Sequence, residues 1–64
     1  MYIIQRLTKN KDKEERCFLK WSSEELNHYV TDIKEAKIMT LSEANQIMKK
    51  IKNKEGFKII GYGN

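Results

Sequence analysis

Sixty-four residues with one cysteine and one histidine make a single small domain, which can hold neither an internal disulfide nor a four-ligand zinc site. No apolar run approaches the ~20 residues of a membrane span, and no leader with a cleavage site opens the sequence, so a soluble, cytoplasmic chain is expected. The net charge of +4 permits nucleic-acid binding without requiring it.

Tyr2-Ile3-Ile4-Gln5-Arg6-Leu7-Thr8 is rich in β-branched and aromatic residues and predicts a strand. The charged stretch Lys9 to Arg16 reads as a solvated hairpin tip. Arg16 to Trp21 then predicts a second strand, so residues 2–21 form an antiparallel hairpin. Alternation places Cys17, Leu19 and Trp21 on one face and Arg16, Phe18 and Lys20 on the other. The face with Leu19 and Trp21 is the expected core face, with Tyr29 beside Trp21.

Ser22 and Glu25 have capping-box spacing, but the apolar pattern beyond them supports one helical turn at most. Thr31 is placed to cap a short turn in which Ile33 and Ala36 face inward. Lys37 to Thr40 reads as a short strand. Thr40 and Glu43 make a second capping box, followed by an apolar stripe of Leu41, Ala44, Ile47, Met48 and Ile51. This predicts a helix over 41–53, with Lys49, Lys50 and Lys52 at its negative end and Gly56 as a stop signal. Phe57 to Tyr62 is the last strand, and Gly63-Asn64 a frayed tail.

The fold class is therefore α+β. A three- or four-stranded sheet, in the order β-β-turn-β-α-β, carries one helix on one face. If the strands at 37–40 and 57–62 are parallel neighbours, the helix is their crossover. One helix roofs one face only. The other, with Phe18 and some of Tyr2, Ile4, Ile60 and Tyr62, is expected to be open and apolar.

Chemistry has few candidates. Cys17 and His28 are the only nucleophile and base that could pair, and Cys17 reads as a structural cysteine within a strand. Glu24, Glu25, Asp32 and Glu35 sit where helix starts favour acids. No glycine-rich phosphate cradle occurs. The chain is expected to be no enzyme, with no metal and no cofactor.

Binding is the remaining class. Tyr2, Phe18, Tyr29, Ile60 and Tyr62 are the expected protein-contact residues, of types suited to interfaces. A domain this short, without disulfide or metal, also favours self-association, and a homodimer through the open face is expected. The alternative partner is nucleic acid, held by Lys49, Lys50, Lys52, Lys54 and Lys58 beside Phe57 and Tyr62. Arginine is scarce, at Arg6 and Arg16 only, which weakens base and phosphate readout.

Tyr29 to Thr40 followed by Leu41-Ser42-Glu43-Ala44, with the opening Tyr-Ile-Ile and closing Phe-Lys-Ile-Ile, resembles a segment of very small accessory proteins. These belong to phages and mobile elements of Gram-positive bacteria. Their pattern is aromatic-x-Thr-Asp-apolar-x-x-Ala-basic-apolar-apolar, then a capped helix and a final strand. The chain departs from it at Tyr29-Val30, where Trp is common, and at Met39, where Phe is common. The resemblance implies a protein of the host bacterial cytoplasm that binds and inhibits a host enzyme or antiviral defence protein. It transfers no functional residue.

Overall fold

A computed structural model describes residues 1–63, so the expectation for Asn64 lies outside the described residues. Strand β1 spans Tyr2–Asn10 and β2 spans Lys13–Ser22, paired antiparallel from Gln5↔Phe18 to Asn10↔Lys13. This is the predicted hairpin, turned at Lys11 with φ of 59°.

Strand β3 spans Asn27–Val30, in a stretch whose pattern predicts only a turn. The Ser22–Glu25 capping box does not form. Instead the Ser23 N–H donates to the Leu26 carbonyl, and the Leu26 N–H to Ser23 Oγ at 3.1 Å. That tight turn folds the chain back, and β3 pairs antiparallel with β2.

The register shifts between Leu19 and Trp21, a bulge beside β3. Leu19 faces Tyr29, but Trp21 faces His28. Cross-strand partners share a face and successive strand residues alternate. Trp21 is therefore turned to the face opposite Leu19, which corrects its expected place in the core. It is 43% exposed.

After β3, Asp32 rather than Thr31 caps a short 3-10 turn, η1, at Ile33–Glu35, by accepting from the Lys34 N–H at 2.9 Å. Ile33 and Ala36 do face inward, against Ile3 and Phe18. Lys37 to Met39 then run between the end of β2 and the start of β1. The Lys37 N–H donates to the Leu19 carbonyl, and Tyr2 and Met39 exchange both backbone bonds at 2.8 Å. This short segment makes a single bridge rather than the predicted strand. It carries the chain from the Phe18 face to the opposite one, where Met39 packs with Ile4, Leu19 and Ala44.

Helix α1 spans Leu41–Lys50. Thr40 caps it as predicted, its hydroxyl accepting from the Glu43 N–H at 3.2 Å. Ala44 is buried, with Ile47 and Met48 half-buried on the same cluster, while Leu41 is exposed. The helix ends three residues short of the expected 53, because Ile51 is already extended at ψ 119°. Residues 51–56 must instead reach across to Leu7. Gly56 therefore does not stop the helix. It turns the connection at φ 83° and accepts from the Leu7 N–H at 2.8 Å.

Strand β4 spans Phe57–Gly61 and pairs antiparallel with β1. The sheet order is β3-β2-β1-β4, with α1 against one face. The Met39 segment and β4 are thus separated by β1 and are not neighbours.

The expectation of an open apolar face is corrected. Phe18 is buried, 7% exposed, under Ala36 and Ile33, and Ile60 and Tyr62 pack on the same cluster. Ile4 lies in the core of the helix face. The part of the far face left uncovered lies toward the β1–β2 turn, and there it carries Gln5, Leu7, Lys9, Arg16 and Lys58. It is mostly polar.

Candidate interaction surface

Antiparallel pairing sets which chain ends lie together. The start of β1, the end of β2 and the start of β3 meet at one end of the sheet. Met39 joins them through its bridge to Tyr2. The exposed large apolar side chains of the described residues are Met1, Trp21, Leu26, Ile38 and Leu41, and the pairing puts each in a segment at or next to this end. Met1 precedes β1, and Leu26 tips the β2–β3 turn. Ile38 and Leu41 flank Met39. The opposite end is the β1–β2 turn, where every residue from Lys9 to Arg16 is exposed and Lys9 pairs with Glu14 at 3.7 Å. Among the described residues, the exposed large apolar side chains thus lie away from the charged β1–β2 turn.

Trp21 is held rather than loose. Its ring stacks on His28 with centroids 5.4 Å apart and planes within 11°. A rigid exposed aromatic offers contact area with little entropy left to lose on binding. Beside it, the turn from Ser22 to Asn27 and the helix-end residues Lys50, Ile51 and Lys52 line a shallow cleft. Glu24 and Glu25 lie on one side of it and the two lysines on the other.

The expected protein-contact residues are not brought together. Phe18, Ile60 and Tyr62 share the cluster under η1. Tyr29 lies on the helix face, where Arg6 stands 5.2 Å from its ring and 5.7 Å from that of Phe57. Tyr2, half-buried, pairs with Gly61 and bridges Met39 at the apolar end. Sequence reasoning did not single out Leu26, Ile38 or Leu41 as surface groups. Trp21 is of a type suited to interfaces, but alternation places it in the core, and only the bulge turns it outward.

The expected lysine strip is also divided. Lys49 and Lys50 end α1, and Lys52 and Lys54 follow in the connection, all exposed. Lys58 pairs with Gln5, whereas its neighbours Phe57 and Ile59 pack on the helix-face cluster. Alternation turns Lys58 to the other side of the sheet from the helix.

Cys17 and His28 are separated by the sheet itself. Cys17 faces Arg6 on the helix side, and its Sγ points to the Arg6 carbonyl at 3.7 Å. His28 lies with Trp21 on the other side. Burial pushes the Cys17 thiol above its ordinary value, with Arg6 opposing the shift and Glu15 adding to it. Less thiolate is then present at neutral pH, and thiolate is the reactive form. Alkylation of Cys17 by iodoacetamide at pH 7 is therefore expected to be slower than in the unfolded chain. Its pH midpoint should lie higher in the folded state; an equal or faster rate would contradict this environment. Among the described residues, no three His, Cys, Asp or Glu side chains gather as a metal site, and no helix is long and apolar enough to cross a membrane. No protein-family model matches the chain, and no curated protein or solved structure matches it.

Proposed function

We propose that the chain is a non-enzymatic protein-binding module that docks through the apolar end of its sheet. The target class is a bacterial host or antiviral defence protein, which the chain inhibits in the manner of a phage accessory protein. The observation that carries the binding reading is the segregation of every exposed large apolar side chain of the described residues to one end. Scattered exposed apolar residues are ordinary, whereas a shared location marks a contact surface. The resemblance of Tyr29 to Ala44 supports the target class. A phosphate-binding role draws less support, because Lys58 lies apart from Lys49, Lys50, Lys52 and Lys54.

Capture from a bacterial lysate tests the reading when three forms of the tagged chain are compared. The wild type and a turn variant, Lys11→Ala with Lys13→Ala, should retain the same protein. Trp21→Ala with Leu26→Ser should lose at least about tenfold of it, as removal of a central aromatic anchor does, while staying folded at the assay temperature with a thermal midpoint lowered by loss of the stack on His28. Equal capture by all three forms would refute the docking end. Recovery of nucleic acid that is shed as salt rises would favour the lysine cluster instead.

A further inference from the structure

The sheet has two edges, β3 and β4. The β3 edge is four residues long and lies beside the bulge, a combination that discourages strand addition. The β4 edge runs for five residues in unbroken register with β1 and contains no proline.

The hydrogen bonds at its two ends show which groups it leaves free. The Leu7 N–H donates to the Gly56 carbonyl, and the Tyr62 N–H donates to the Met1 carbonyl. Antiparallel ladders alternate, so Gly56, Lys58, Ile60 and Tyr62 direct their backbone groups toward β1. Phe57, Ile59 and Gly61 direct theirs outward. The Phe57 N–H is taken by the Lys54 carbonyl at 3.0 Å. The Phe57 carbonyl and both backbone groups of Ile59 and Gly61 remain for a partner.

We propose that this partner is β4 of a second copy, antiparallel and centred on Ile59. In that register the two Ile59 residues exchange both bonds, and each Gly61 N–H donates to the opposite Phe57 carbonyl. The side chains agree with the backbone. Phe57 stands opposite Gly61, where even a Cβ would meet nothing within 4 Å. Lys58 stands opposite Ile60.

The neighbouring registers are worse. A shift one way sets Lys58 directly against Lys58, a destabilising like-charge pair. A shift the other way pairs each Ile59 with the opposite Gly61 but sets Phe57 opposite Gly63, beyond the strand, and leaves the Phe57 carbonyl without a partner in β4. The register centred on Ile59 is thus the one that uses Phe57, Ile59 and Gly61 together and opposes no like charges. An edge this short buries well under the ~1,600 Å² of a standard interface, so a weak, reversible dimer follows.

Sedimentation equilibrium from micromolar to millimolar concentration tests the pairing. The mass should climb from 7.6 kDa toward twice that value, and amide exchange at Ile59 and Gly61 should slow as it does. Gly61→Pro should stay at the monomer mass and still fold, because proline removes the outward N–H that the partner's Phe57 carbonyl needs and that the single copy leaves unused at its edge strand. A monomer mass at millimolar concentration would overturn the pairing and leave the edge to a strand of another protein. So would a dimer that persists in Gly61→Pro, or one whose Ile59 and Gly61 amides exchange freely. Should Gly61→Pro fail to fold, the exchange measurement on the wild type decides alone.

Discussion

Phe18→Asp is expected to leave the chain unfolded at room temperature. Phe18 is 7% exposed and sits in one cluster with Ile3, Ala36, Ile33 and Ile60. Removing a buried Phe side chain costs about 3–5 kcal/mol. The new carboxylate adds several kcal/mol more unless it takes up a proton, since no buried polar or charged residue accompanies that cluster among the described residues. A domain of this size has only about 3–5 kcal/mol of stability in total. Far-ultraviolet circular dichroism should therefore show a disordered chain for Phe18→Asp, while Phe18→Leu retains the native spectrum and melts earlier. A folded Phe18→Asp monomer would mean that the segment from Ile33 to Ala36 does not cover this side of the sheet.

Gly56→Ala should be the most damaging of the mild substitutions. At φ 83° a residue with a Cβ pays about 1–2 kcal/mol in the left-handed region. The added Cβ would also press on the Leu7 carbonyl oxygen, which belongs to the backbone of an interior strand. Relief requires moving the connection, which breaks the bond from the Leu7 N–H to the Gly56 carbonyl at a further ~1 kcal/mol. The expected loss is about 3 kcal/mol, enough to lower a urea midpoint by more than about 1 M. Gly61→Ala provides the contrast. Its Cβ meets nothing within 4 Å, so its midpoint should not fall. Equal midpoints for the two variants would contradict the close approach at Gly56.

The parts of the fold with a strong period were legible in advance. The β1–β2 hairpin, the Thr40 cap, the α1 stripe and the last strand all follow from alternation or helical spacing. β3 was not legible, because Asn27 and His28 have low strand propensity and the strand exists only through pairing with β2. The position of Trp21 depends on a bulge, which no local pattern announces. The second cover has a signal in the sequence. Ile33 and Ala36 were expected to face inward, and with the helix on one face the only sheet surface left for them was the other.

A sheet with a single roof implies a broad sticky face, and Phe18 and Tyr62 were assigned to it. With two roofs, the apolar surface retreats to the end of the sheet, where the two coverings meet at Ile38 and Leu41. Lys58 shows the same lesson in electrostatics. Charges adjacent in sequence form a patch only if the strand period allows it.

A photoreactive phenylalanine placed at position 21, 26 or 11 and irradiated in bacterial cytosol tests the docking end most directly. Positions 21 and 26 are predicted to crosslink to the same protein, with position 11 at the charged turn silent. Crosslinks from position 11 alone, or from all three positions without preference, would contradict the assignment of the apolar end as the surface that binds.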